Sequence, residues 1–262
     1  MDSLHPLLGR TLLLVAHPDD EAVGCGIMLQ RMREPIVVFA TDGAPRSDFF
    51  WKQYGSRESY AIVRATEAEA ALNVVGVHHH HRLCEHNPIA DQELFVNLEC
   101  AYTSLSDLVE MEIPDAILTL AYEGGHPDHD CCAFLASIVG IRYELPVWEV
   151  PLYHRAGNDI VRQKFLNAGG LPVFATAEEM AQKRRMFEAY KSQAPVMAAF
   201  KSEFEAVRPM HDYDFTCPPH PGVLNYEAWQ WPMSGADLCR AFAQFLTQPA
   251  DPTRKREWGT AA

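Results

Sequence analysis

The 262-residue sequence predicts an α/β protein: a doubly wound, mostly parallel, Rossmann-like sheet flanked by helices, with an irregular C-terminal lid region. Three observations carry this reading. Short branched apolar runs, such as Leu12-Leu13-Leu14-Val15 and Ile36-Val37-Val38-Phe39, suit buried strands and are too short for helices. Stretches with apolar residues three and four apart lie between them. Two of the runs stop at polar clusters that open helical patterns, the position where open α/β sheets bind ligands.

Taken in order, Thr11 to Val15 forms the first strand and Ala22 to Arg33 the first helix, ended by Pro35. Ile36 to Ala40 is the second strand, closed by Thr41-Asp42-Gly43. The segment from Ala44 to Gly55 has no period. It reads as a loop at the mouth of the site whose aromatics, Phe49, Phe50, Trp51 and Tyr54, either stack on a sugar or pin the loop to its own domain. Ser56 caps a helix reaching about Asn73, with Ala61, Ala65, Ala68 and Leu72 facing inward.

The histidines from 78 to 81 fall where a third strand is due. Alternation lets only His78 with His80, or His79 with His81, share a face, and a half-buried strand is preferred to a second metal site. Asp91 to Glu110 is helical, Asp115 to Ala121 is the fourth strand, Cys131 to Val139 helical, and Pro146 to Val150 the fifth strand. Beyond residue 151 the alternation loosens. One helix spans Thr176 to Ser192, a proline-stiffened aromatic stretch over 205–231 reads as a lid, and a last helix over Gly235 to Leu246 leads into a polar tail, Gln248 to Ala262.

Composition sets limits. The length suits a single domain over 1–262, an α/β core over 1–150 followed by C-terminal helices and lid over 151–262. A net charge of −13 excludes phosphate backbones and anionic lipid as partners, so no nucleic acid is expected. No stretch has the roughly 20 apolar residues of a bilayer span and the start lacks a secretion signal, which points to no membrane insertion and a cytoplasmic protein. Seven scattered cysteines without a Cys-x-x-Cys pair suit a reducing compartment and small core positions better than disulfides. A homo-oligomer is compatible with the sequence.

The chemistry lies in two stretches, Ala16-His17-Pro18-Asp19-Asp20-Glu21 and Gly124-Gly125-His126-Pro127-Asp128-His129-Asp130. Both follow a strand and open a helix. In the first, His17 and Asp20 can turn toward one point while Asp19 points elsewhere, and adjacent carboxylates call for a positive charge between them. An acidic helix cap would explain the first motif alone. Two such strand ends facing across one crevice offer two histidines, a carboxylate and spare acids, which suits Zn2+ with an open coordination position. Which of His126 and His129 takes the metal is left open by this argument.

With AHPDDE at 16–21 and HPDH at 126–129, the chain resembles the PIG-L/LmbE-like zinc deacetylases over roughly its first 150 residues. The resemblance implies removal of an acyl group, most simply acetyl, from the amine of an N-acetylglucosamine-type sugar, with a small-molecule amino sugar as partner. It implies His17, Asp20 and His129 as zinc ligands, Asp19 as general base, and His126 as the cation that stabilises the oxyanion. Asp128 would be an acid beside His126 that raises its pKa. Arg64, with Glu67 in an Arg-x-x-Glu element, and Asp91 match sugar-binding positions, and Asp42 is a weaker match. Gly124 stands where some members carry a tyrosine, so an oxyanion donor would have to come from Tyr122 or from the 211–226 segment.

Within the lid, Tyr213 and His220 are candidate contacts to whatever the amino sugar is attached to, with Tyr226, Trp229 and Trp231 for stacking. Two other classes fit less well. A dinucleotide-binding oxidoreductase would use Gly24 and Gly26, but Leu29 replaces the third glycine and the diacid loop repels pyrophosphate. A non-catalytic carbohydrate-binding protein has no use for Asp19.

Overall fold

The computed structural model describes residues 2–247, so the polar tail anticipated from Gln248 onward lies outside the described residues. After a 3-10 turn, the chain runs β1 (Arg10–Val15), α1 (Asp20–Arg31), β2 (Glu34–Phe39), α2 (Arg57–Val74), β3 (His80–Arg82), α3 (Leu98–Glu112), β4 (Ala116–Leu120), α4 (Pro127–Tyr143) and β5 (Val147–Val150). The C-terminal part adds the hairpin β6 (Tyr153–Ala156) and β7 (Asp159–Arg162), then β8 (Leu171–Phe174), α5 (Ala177–Ala189), α6 (Ala194–Met197), β9 (Phe204–Pro209), α7 (Asn225–Ala228) and α8 (Gly235–Thr247).

The main sheet has the order β3-β2-β1-β4-β5-β9-β8, with every pairing among β1 to β5 parallel. Burial on both faces explains the continuous apolar runs: Leu12 to Val15 and all of β4 are inaccessible to solvent or nearly so. The order reverses between β1 and β4, and the two motifs follow these two strands. They therefore face each other at the topological switch point.

The segment read as a lid departs from expectation at its start. Phe204–Pro209 is a strand, antiparallel to both β5 and β8, and extends the sheet. Its polar residues hid it, because their charges are matched indoors. Glu205 pairs with Lys183 Nζ at 2.6 Å and accepts the N–H groups of Ile27 and Met28, while Arg208 Nε donates to Glu149 at 2.6 Å. The strands β6 to β8 also lie where the sequence had indicated none. The helix expected from Asp91 starts at Leu98, and that expected from Cys131 starts at Pro127.

One cysteine expectation is overturned. Cys84 and Cys100 form a disulfide, their Cα atoms brought to 6.2 Å where the loop after β3 returns to the start of α3. Cys25, Cys131, Cys132 and Cys239 are free and buried, as expected of small core residues. No helix among the described residues is long and apolar enough to cross a membrane.

Candidate active site

The first motif is a tight turn between β1 and α1. Asp19 holds φ at 127°, a conformation that L residues rarely adopt and that costs about 1–3 kcal/mol unless neighbours hold it. Three groups do so. The Asp19 N–H donates to Glu21 Oε2 (3.0 Å), and Arg64 Nη2 donates to Pro18 O (2.5 Å) and to Asp19 Oδ2 (3.1 Å). Glu21 is itself anchored by the Tyr190 hydroxyl at 2.5 Å, and burial pushes its pKa up to about 8.

The turn splits the adjacent acids. Asp20 Oδ2 accepts the His17 N–H at 2.8 Å and lies 3.3 Å from His17 Nδ1, while Oδ1 lies 3.2 Å from His129 Nε2. Burial would raise the pKa of Asp20, but His129 and His17 outweigh it and hold it well below the usual carboxylate range. For Asp19 burial wins: its pKa is raised to about 6 although Arg64 lowers it.

The second motif is built differently, because its helix starts one residue after His126. Pro127 occupies the first helical position, where its missing N–H costs nothing, and His126 caps the helix by accepting the Asp128 N–H on Nδ1 at 3.1 Å. The proton of His126 is therefore on Nε2, which stands 3.3 Å from Asp91 Oδ1. With Nδ1 as acceptor and one proton on Nε2 the imidazole is neutral, and burial, reinforced by the charge of His17, lowers its pKa. That corrects the expectation of a cation kept protonated by Asp128.

Asp128 has another task. It accepts the N–H groups of Gln92 (2.6 Å) and Leu94 (3.1 Å) and faces His17 Nε2 at 3.1 Å, whereas His126 Nδ1 is 4.0 Å away. A carboxylate that takes the Nε2 proton of His17 would leave Nδ1, on the side of Asp20, free to bind a metal. Asp91 is the acid shared by the histidines, with Oδ1 3.3 Å from Nε2 of both His17 and His126. Burial opposes its ionisation, yet His17 and His126 hold its pKa well below the ordinary value.

The charges fit a cation. Asp19, Asp20, Asp91 and Asp128 converge on three imidazoles and one guanidinium. Burial disfavours the His17 cation, but Asp91, Asp128 and Asp20 hold its pKa well above the ordinary value, as expected where carboxylates outnumber positive groups. His17, His126 and His129 can offer ligand atoms within 4.8 Å of one another, and buried His129 Nδ1 has no hydrogen-bond partner. The Asp20 contacts of 3.3 and 3.2 Å also approach the roughly 3.3–3.4 Å that separates two ligands of a tetrahedral zinc with bonds of about 2.0–2.1 Å.

Other predicted residues are placed elsewhere. Asp42 turns away, accepting from Arg57 at 2.7 Å and from the Ala44 N–H at 3.0 Å. Tyr213 donates to Glu149 at 2.8 Å and packs on Tyr122 and Phe215, so it belongs to the interior. Tyr122 and Tyr226 are not available as oxyanion donors, since their hydroxyls go to Cys217 O and Asp130. Glu67 accepts from Ser192 and ties α2 to the segment after α5. His220 stands over Gly124 at the rim, its Nε2 buried without a partner. In the 44–55 loop, Tyr54 stacks on Tyr60 at 4.8 Å and Trp51 donates to Pro45 O, which pins the loop, while Phe49 stays exposed.

Two aromatics complete the site. Trp231 stands edge-on to His126 at 4.9 Å, and Tyr153 packs on His129 at 5.4 Å with its pKa driven well up by burial and by Asp20. Gly125 makes room for Tyr153, because a Cβ there would collide with the Tyr153 carbonyl oxygen. The sequence did carry a signal for Tyr153, which lies three residues beyond the carboxyl end of the fifth strand.

This sheet and cluster define an α/β protein with a His/Asp site able to hold a metal. Residues 12–139 match the family described as PIG-L: GlcNAc-PI de-N-acetylase. The fold is also that of A40926 pseudoaglycone deacetylase, at TM-score 0.60 and 17% identity over 78% of this chain and 98% of that one. It is likewise that of N,N'-diacetylchitobiose deacetylase from Pyrococcus horikoshii, at TM-score 0.56 and 20% identity over 77% and 84%. The zinc-inhibited form of teicoplanin deacetylase aligns at TM-score 0.54 and 16% identity over 78% and 100%. No curated protein matches the chain by sequence.

Proposed function

We propose that this chain is a zinc-dependent N-deacetylase acting on an N-acetylglucosamine-type sugar or glycoconjugate. The observation that carries the reading is the split of Asp19 from Asp20. One acid is locked between two imidazoles, and its neighbour is turned aside and held by Arg64 with a pKa of about 6. Metal-assisted amide hydrolysis needs a metal site beside a base that is ionised at neutral pH. The PIG-L match and the deacetylase folds support the same reaction class.

His17, Asp20 and His129 would hold the zinc, which when bound acidifies water and polarises the acyl oxygen. Asp19 accepts the proton of the attacking water and delivers it to the departing amine as the C–N bond breaks, and Arg64 fixes its direction. His126, neutral with Nε2–H, donates to the developing oxyanion, and Asp91 orients it. Tyr153 is the phenol beside His129, and its raised pKa keeps it a donor. Trp231 and the exposed Trp229, 5.2 Å apart, wall the side where a sugar would lie.

Acetate release from a panel of N-acetylglucosamine conjugates, by protein of measured zinc content, tests this. Activity should vanish with chelator and return with Zn2+, and Asp20→Ala and His129→Ala should lose the tight ion. Full turnover by zinc-free protein, or no acetate from any conjugate by zinc-loaded protein, would overturn it.

A further inference from the structure

We propose that His79, His81 and Glu112 form a second metal site, separate from the first, on the exposed edge of the sheet. The ligand is a divalent first-row ion with a taste for imidazole, such as Zn2+, Ni2+ or Cu2+.

The site follows from strand geometry. β3 is the edge strand and pairs with β2 in the register Val37↔His80 and Val38↔His81. Alternation then puts His79 and His81 on one face, their rings 5.1 Å apart, and His78 and His80 on the other. Glu112, the last residue of α3, meets the first pair: its Oε1 lies 3.0 Å from His79 Nε2 and 3.1 Å from His81 Nε2. Three donors this close, from two elements, match the spacing of ligands around one small ion, where atoms bonded at about 2.0–2.2 Å stand roughly 3.2–3.5 Å apart.

The carboxylate is held in place. Arg10 Nη2 donates to Glu112 Oε2 and Arg10 Nε to Glu112 O, both at 2.6 Å, leaving Oε1 turned to the histidines. Glu34 takes Arg10 Nη1 at 2.9 Å, so two carboxylates face one guanidinium and the local charge favours a cation. Exposure is graded, 6% for the Glu112 side chain, 24% for His81 and 47% for His79. The protein supplies ligands from within, and water can complete the coordination from outside. A bound ion would join the edge strand to the end of α3.

The competing explanations are a satisfied hydrogen-bonded trio and a loose histidine tract. Counting Ni2+ and Zn2+ per chain by calorimetry on the full, untagged protein separates them. His79→Ala/His81→Ala should bind one ion fewer than the wild type, and Glu112→Gln should weaken the edge ion at least about tenfold. His78→Ala/His80→Ala should match the wild type, and the Asp20→Ala chain should keep the edge ion. The ion should also raise the melting temperature of Asp20→Ala but not that of the variant further lacking His79 and His81. Unchanged stoichiometry in His79→Ala/His81→Ala, or an equal loss in His78→Ala/His80→Ala, would overturn the proposal.

Discussion

The two His-Pro-Asp stretches share residues and position in the fold, yet their acids do opposite things. In 17–19 the helix starts after the aspartate, so Asp19 stays on a left-handed turn, facing the site with one guanidinium partner. In 126–128 the helix starts at the proline, so Asp128 is carried inside, where two backbone N–H groups and His17 saturate it. Where the helix begins decides whether an aspartate faces the site or is taken up by backbone N–H groups and a histidine. The histidines diverge too: His17 has carboxylates at both ring nitrogens, while His126 spends Nδ1 on the helix cap.

The largest effect should come from Asp19, the buried acid that faces the site. Asp19→Asn preserves volume but cannot take a proton, and turnover should fall by roughly 10²–10⁴ with zinc affinity unchanged. The same change in the second motif should read out differently. Asp128→Asn places an amide against N–H donors and loosens His17, so zinc affinity should drop about 10–100-fold, and excess zinc should restore much of the rate. Zinc titrations of both variants, with turnover at saturating metal, break the comparison if Asp128→Asn resembles Asp19→Asn.

Much of this was legible in the sequence, and the reason is physical. The apolar runs of β1, β2 and β4 are unbroken because those strands are buried on both faces, and both motifs sit at strand ends. What escaped was whatever depends on pairing between distant charges. β9 carries Glu205 and Arg208, which look like surface residues until Lys183 and Glu149 are placed beside them. Asp128 looked like the partner of His126, two residues away, because sequence proximity says nothing of the Gln92 and Leu94 amides that claim it. Tyr213 sat in an aromatic-rich segment, but its partner Glu149 is on β5.

A smaller effect isolates what holds Asp19 apart from Asp128. Burial raises the Asp19 pKa and Arg64 lowers it, so removing the guanidinium leaves the raising influence unopposed. The base form of an acid is present above its pKa and lost as pH falls through it. In Arg64→Met the acid limb of the rate profile should therefore move to higher pH, by about one unit or more, with at least about a twofold loss at neutral pH and recovery under more alkaline conditions. An unmoved acid limb would mean that Arg64 only fixes the turn and that some other group limits the rate at low pH.

The smallest effect belongs to the second motif alone. Trp231 touches His126 edge-on, and no aromatic contact joins it to His17, so it can bias only the donor side of the reaction. Such a ring pair contributes about 0.5–1.5 kcal/mol, which sets a loss of roughly 2- to 10-fold for Trp231→Ala. If Trp231 and Trp229 also wall the space where the rest of a glycoconjugate lies, the loss in kcat/KM should be greater for a large conjugate than for N-acetylglucosamine itself. Tyr213→Phe is the control from the same stretch of chain. Its hydroxyl binds Glu149 inside the protein, so the change should lower the melting temperature slightly and leave the ratio of the two substrates unchanged. Equal losses on both substrates in Trp231→Ala would confine Trp231 to holding the His126 ring and leave selection of the conjugate to the pinned loop at 44–55.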